Sequence, residues 1–416
     1  MKIVRLAKRH KGRHSRPSLL KRFGGLPSAW IGAAVMILVA SVAAASLGDG
    51  SDIGDPDTVG PTSTTSTAEV GDPTRGDGTT DVAAAEEQGG TTYYVAPSGS
   101  DSSTGSRDTP WRTIGHSITQ LAAGDTLVVR QGVYVESIRT TRLAPGTPTQ
   151  RITVTAAAGE VPVLQGLLWL VEPDHWTIEG LTIEWSDEDG GPQDHMVKLT
   201  GGTGWVFRNN EVRGAKSYAA VLVAEGSPPD GPPTFWRIAD NCIHDTEPTN
   251  GGNQDHLIYV NSGTEPTYGV IEHNVLWGAP NGAGIKLGGP SADIGGASNV
   301  TVRFNTIAET FQSVSVSWQS DHNIIIGNVM ARIPDGRSHI RAFELIGVDN
   351  HAYSNVADKE PLVWADDGHE SVINHPDNRI TDVDFSNEGR CDGWLPTAEF
   401  GGAGHVGTGP TPTTSG

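Results

Sequence analysis

Between about Thr92 and Asp384 the apolar residues of this chain recur in short alternating runs, and each run is followed by a turn built on Asn. The first series is Asn210-Glu211-Val212, Asn241-Cys242-Ile243, Asn274-Val275-Leu276, Asn305-Thr306-Ile307, Asn328-Val329-Met330 and Asn355-Val356-Ala357, with spacings of 31, 33, 31, 23 and 27 residues. Gly180-Leu181-Thr182-Ile183 fits one period earlier, with Gly standing for Asn. A second series lies between the Asn turns: Val197-Lys198-Leu199, Val221-Leu222-Val223, Ile258-Tyr259-Val260, Ile285-Lys286-Leu287, Val314-Ser315-Val316 and Phe343-Glu344-Leu345. Apolar residues on either side of one that points the opposite way are the mark of a strand. An irregular repeat with two or three such strands per period predicts a β-solenoid.

Stacked strands lie about 4.8 Å apart, so the middle residues of the second series form an external stripe: Lys198, Leu222, Tyr259, Lys286, Ser315 and Glu344. Tyr259 and Ser315 then flank Lys286 one coil away on either side. Asn at one corner of every coil suits a ladder of stacked amides and a left-handed corner backbone. A β-sandwich or propeller is the competing arrangement, but neither calls for a recurring corner Asn.

One stretch breaks the pattern. In Thr113 to Ala123, Ile114, Ile118, Leu121 and Ala122 fall on one helical face and Gly124 follows as a stop, which predicts an amphipathic helix. Such a helix would cover the open end of the stack, whose unpaired strand edges would otherwise recruit other chains. Asp125 to Tyr134 reads as the strand after it.

Outside the repeat, the chain divides by composition. Residues 1–47 combine a basic start with the uncharged 18-residue run Trp30 to Leu47, which ends on Ala43-Ala44-Ala45. This is expected to be an export signal, either cleaved or kept as an anchor, and the only part that meets a membrane. Residues 48–91 are rich in Gly, Ser, Thr, Pro and Asp and read as a disordered linker, 92–400 as the β-helix domain, and 401–416 as a disordered tail. The expected location is therefore outside the cell or in its envelope.

The formal charge is −20, and removing the nine Lys and Arg of the first 22 residues leaves −29 on the rest. That argues against nucleic acid as a partner, and none is expected. It also opposes a polyanionic sugar unless a local basic stripe or a bound cation offsets the field. Two cysteines are too few for a disulfide-built scaffold. Cys242, in an apolar strand context, reads as a small core residue, with a bridge to Cys391 as the alternative.

The segments Tyr93-Tyr94-Val95-Ala96-Pro97-Ser98-Gly99-Ser100-Asp101, Thr109-Pro110-Trp111-Arg112-Thr113-Ile114 and Ala123 to Tyr134 resemble the N-terminal cap and first coil of right-handed parallel β-helix proteins of the pectate-lyase-like superfamily. The resemblance implies an all-β, right-handed parallel β-helix with an N-terminal capping helix. It leaves activity open, because this fold carries lyases, hydrolases, epimerases and non-catalytic members. Asn281-Gly282-Ala283-Gly284-Ile285-Lys286-Leu287-Gly288-Gly289 resembles the lysine-bearing strand of the family-nine polysaccharide lyases, which implies Lys286 as general base with Ca²⁺ nearby. The dense aspartate cluster of that family is missing here.

On the residues themselves, a Lys acts as base only when burial or neighbouring cations lower its pKa. Tyr259 could donate to a leaving oxygen or stack on a ring, and Arg341, two coils on, could pair with a carboxylate. His256, in a Gln254-Asp255-His256 segment that echoes Gln193-Asp194-His195, could act as acid or base or merely cap backbone groups. Lys198, Ser315, Glu344, Trp318 and Trp277 are candidates for substrate contact. Asp245, Glu247 and Asp255 are the nearest carboxylates for Ca²⁺. Glycines around Lys286 would let a sugar approach the strand. The leading expectation is an exported polysaccharide lyase cleaving a uronate glycan by β-elimination. A non-catalytic carbohydrate-binding or envelope protein is the alternative, and a glycoside hydrolase, which needs paired carboxylates, ranks third.

Overall fold

The computed structural model describes residues 89–188, 190–191, 194–227, 230–247, 254–291, 295–365, 371–398, 400 and 403–404. The basic segment and export signal expected at 1–47, nearly all of the linker at 48–91 and most of the tail at 401–416 lie outside the described residues. Among the described residues no helix is long and apolar enough to cross a membrane.

The β-solenoid predicted by the repeat forms, as the right-handed parallel β-helix that the resemblance implied. A coil takes three short strands, for example Val206–Arg208, Glu211–Arg213 and Ala219–Ala224. In two coils the second and third merge into single 13-residue strands, Val275–Leu287 and Thr306–Trp318. The described strands build an 11-stranded sheet and a 17-stranded sheet, both parallel, and a two-stranded antiparallel sheet of Phe385–Ser386 and Leu395–Pro396. Alternation places one apolar column inside each wall. Phe207, Ile238, Ile271, Val302, Ile325 and Ala352 succeed one another in the first wall, every one fully buried. Each Ile, Val or Phe of the column contributes about 1.5–3 kcal/mol by leaving water.

The Asn turns form a continuous ladder. Asn210 donates its backbone N–H (3.0 Å) and its amide (3.2 Å) to Oδ1 of Asn241, and its amide also reaches the Ile178 carbonyl at 3.0 Å. The same bonds repeat through Asn274, Asn305, Asn328 and Asn355 to Asn378. A second, shorter ladder joins Asn323 to Asn350.

Three expectations need correction here. The left-handed corner residue is not the ladder Asn but the one before it: Asn209, Asp240, His273, Phe304, Gly327 and Ser354 all have φ between 47° and 64°. Gly180, also left-handed, matches that preceding position, and Leu181 takes the Asn place, donating its N–H to Asn210 Oδ1 at 3.0 Å. The predicted helix is shorter than its apolar face suggested, spanning Ile114–Ile118. Thr113 caps it and the Glu136 carboxylate accepts the N–H groups of Ile114 and Gly115. Beyond it the Asp125 carboxylate takes the Ala122 N–H at 2.9 Å and turns the chain into the next strand, leaving Ala122 exposed. A side chain offering a local turn outcompetes another helical turn.

Cys242 is not a free core thiol. It is bonded to Cys391 across 149 residues. The bridge fixes a C-terminal segment over the wall that follows the Asn ladder, where Val383, Phe385 and Trp394 bury against Val275, Trp277, Ala308 and Val329.

Candidate functional site: the external stripe

Ladder register defines the stripe residue by residue. It runs Arg139, Trp169, Lys198, Leu222, Tyr259, Lys286, Ser315, Arg341 and Trp364, each one coil from the next. The expected core of this series is in place, with Tyr259 and Ser315 on either side of Lys286. Glu344 is displaced from it. The partner of Ser315 is Arg341, and Glu344 falls at an irregularity where Ser317 pairs with Phe343 and Trp318 with Leu345. Its left-handed backbone (φ 46°) and exposure mark the bulge. Phe343-Glu344-Leu345 mimics the stripe triplet, but Ile340-Arg341-Ala342 is the one in register. Arg139, Trp169 and Trp364 escaped the sequence reading, although Leu168-Trp169-Leu170 and Val363-Trp364-Ala365 have the same form.

In a strongly acidic chain, the stripe holds four cations, three aromatics and no acid. The cations lie against rings: Arg139 4.2 Å and Lys198 5.4 Å from the Trp169 centroid, Lys286 4.8 Å from Tyr259, Arg341 4.7 Å from Phe343 and 5.7 Å from Trp364. Arg139 also lies 3.6 Å from Asp194. This is the local basic stripe that the charge balance demanded for any acidic sugar.

The centre of the stripe is recessed. Leu222, Tyr259 and Ser315 are buried and Lys286 is half-buried. Burial lowers the Lys286 pKa to about 8, because an ammonium away from water loses solvation. No carboxylate among the described residues forms an ion pair with it. Burial raises the Tyr259 phenol above its ordinary value, so the ring stays protonated at any working pH. Three residues upstream on the same strand, His256 packs edge-on to Tyr259 at 5.7 Å. Its Nδ1 accepts the Ala283 N–H at 2.9 Å, which places the ring proton on Nε2. Burial, then Lys286 and His195, hold His256 well below the usual imidazole range. His195 lies 6.4 Å from Tyr259, its pKa lowered to about 4 by burial and Lys198.

The glycines near Lys286 have a packing cause. A Cβ on Gly282 would sit 2.0 Å from the Asp255 carbonyl oxygen, and one on Gly284 2.4 Å from Ile307. They let neighbouring coils approach, which corrects the reading of them as clearance for a sugar.

Other candidates separate. Trp318 ends its strand half-buried, edge-on to Phe343 at 5.8 Å, and so borders the Arg341 end of the stripe. Trp277 is only 4% exposed, stacked on His244 at 4.2 Å beneath the C-terminal segment, and is no free platform. Asp245 lies 2.8 Å from His244 Nδ1, Glu247 3.7 Å from Lys216, and Asp255 is buried just before the strand His256–Asn261 that carries Tyr259. Among the described residues, only Cys242, His244 and Cys391 come close enough as a trio to share an ion, and their sulfurs are spent on the disulfide. Among the described residues Asp245, Glu247 and Asp255 do not come together as such a trio.

No family model matches the chain. A stretch of 154 residues is 28% identical to the uncharacterized protein YwoF of Bacillus subtilis, covering 34% of this chain and 32% of that one; the match thus spans about a third of the relative's length. Among solved structures, the complex of XylC with xylose has TM-score 0.52 at 14% identity, over 66% of this chain and 67% of that one. A rhamnogalacturonan lyase gives 0.46 at 15% over 70% and 87% of the two chains, and pectate lyase Pel9A 0.42 at 15% over 70% and 78%. The likeness is one of fold alone.

Proposed function

We propose that this chain is an exported protein that binds a uronate-containing polysaccharide along the stripe and cleaves it by β-elimination, with Lys286 as base. The observation that carries this reading is Lys286 itself: recessed, without a carboxylate partner among the described residues, its pKa lowered to about 8, at the centre of a stripe with no acid.

The neutral amine removes the proton α to the substrate carboxylate. The C–H electron pair becomes the new carbon–carbon double bond as the glycosidic C–O bond breaks, and the departing oxygen takes a proton. Tyr259, kept protonated by burial, is suited to supply it. His256 is unsuited as base, since its Nδ1 is already engaged and Nε2 carries the proton; it orients the Tyr259 ring. Charge growing on the carboxylate during proton removal is stabilised by a fixed cation. Arg341, two rungs on at about 10 Å, and Lys198, on the other side, hold carboxylates of flanking sugars. Paired acids for hydrolysis are absent from the stripe, which supports elimination over hydrolysis. The disulfide supports export, since such bonds persist in oxidising compartments.

Mass spectrometry of the products tests the reaction type. Elimination yields chains one water lighter than hydrolysis does; products carrying that water sink the proposal in favour of a hydrolase.

A further inference from the structure

A second external column follows the corner that leads into the 11-stranded sheet. His175, Gly204, Phe235, Tyr268, Asn299, His322 and Asp349 each stand two residues before register partners in that sheet, and each has φ between 51° and 64°. Five coils meet this left-handed requirement with Gly, Asn, His or Asp, the residue types that tolerate it. Two neighbouring coils use bulky rings instead. Phe235 is 65% and Tyr268 53% exposed, and their rings are near-parallel, 12° apart with centroids at 5.4 Å. Neither belongs to a core cluster. The fold thus carries two aromatic side chains on a disfavoured backbone and leaves them in water, and the neighbouring coils show that the corner does not need them.

We infer that Phe235 and Tyr268 form a second carbohydrate-binding platform, one that stacks on the C–H faces of sugar rings and anchors a polysaccharide chain apart from the stripe. Beside the rings, Thr203 and Thr234 bond each other at 2.9 Å, and Arg237 is paired with Glu272. Recognition there depends on ring faces and not on carboxylates. The same two coils carry Leu222 and Tyr259 on the stripe, since Phe235 follows the strand Ala219–Ala224 and Tyr268 the strand His256–Asn261. A chain held at both places gains from effective concentration. The benefit to turnover rests on the elimination reading; the binding does not.

The test uses Phe235→Asn together with Tyr268→Asn, the residue that Asn299 already supplies one coil on. Retention on beads bearing polygalacturonate, alginate or xylan is measured beside Tm, sedimentation velocity and turnover of short uronate oligomers. The expected result is retention weakened about tenfold, as loss of stacked rings implies, with Tm and oligomer turnover unchanged. Wild-type protein that binds none of the three beads overturns the inference, and so does unchanged retention in the variant. Unchanged retention with lowered Tm would make the rings a structural stack; unchanged retention with loss of a dimer would make them a contact between copies. Lys286→Ala separates the two readings: if wild type cleaves no polymer while Lys286→Ala is retained on the beads and the double variant is not, the platform stands and the elimination fails.

Discussion

Lys286 carries its ammonium 4.8 Å from the centroid of the Tyr259 ring, one coil below it. The ring faces the cation with its electron-rich surface and also keeps water from it, and the second effect governs the pKa, since burial is the cause of the shift. Tyr259→Ala should therefore raise the Lys286 pKa back toward 10.5, read as a displaced rising limb in the pH profile of kcat/KM. Tyr259→Phe should leave that limb in place and lower kcat by about 10²–10⁴, the contribution of a positioned proton donor. Equal effects of the two variants on the limb would refute the division of roles.

Stability follows the same group with a definite sign. Between pH about 8 and 10.5 the unfolded chain holds a proton on Lys286 that the folded chain has released, so stability rises with pH across that window. Lys286→Met should remove this dependence and stabilise the protein at pH 7 by on the order of 1–3 kcal/mol. Denaturant titrations at several pH values measure both.

The two histidines act on the acid side. His195, with its pKa lowered to about 4, and His256, also lowered, stay neutral when folded, while the unfolded chain takes up protons below about 6.5. Stability should fall as pH drops from 6.5 toward 4, and His256→Asn should flatten that fall while its side-chain oxygen still accepts the Ala283 N–H. His256→Ala leaves that N–H unpaired and should cost about 1–3 kcal/mol more than Asn. Matching melting curves for the two variants would contradict the tautomer assignment.

Loss of one ladder amide should be costly. Asn274→Ala removes the partner of the Asn241 backbone N–H, of one Asn241 amide hydrogen (the other still donates to the Phe207 carbonyl) and of the Ile238 carbonyl, all buried, and should destabilise by about 2–5 kcal/mol. A smaller loss, under about 1 kcal/mol by chemical denaturation, would show that water replaces the amide.

Reduction of the Cys242–Cys391 bridge should release the C-terminal segment before the coils unfold. A loop of 149 residues corresponds to at most about 5 kcal/mol of chain entropy. Limited proteolysis under reducing conditions should cut first between Val383 and Phe400. Initial cleavage within the coils would show that the segment is held by its apolar contacts alone.

Alternating triplets and the corner Asn were enough to read the coils and the core of the stripe, because both follow from a period that hydrogen bonding enforces. What escaped were features that depend on register. Glu344 imitates a stripe residue until the bulge shifts the pairing to Arg341. The displaced left-handed position follows from backbone geometry that no side chain announces. The disulfide joins residues 149 apart, a separation only the folded chain closes. Phe235 and Tyr268 look like ordinary strand-edge aromatics in sequence, and their exposure emerges only from the corner they occupy.

The most direct test of the central claim is ultraviolet absorbance of the conjugated double bond formed on uronate polymers, recorded for wild type and Lys286→Ala from pH 6 to 10, with added Ca²⁺ and with chelator. The account predicts a signal on at least one polymer that grows through pH about 8 and disappears in Lys286→Ala. Equal signals from the two proteins, or none from wild type on any polymer, would contradict it.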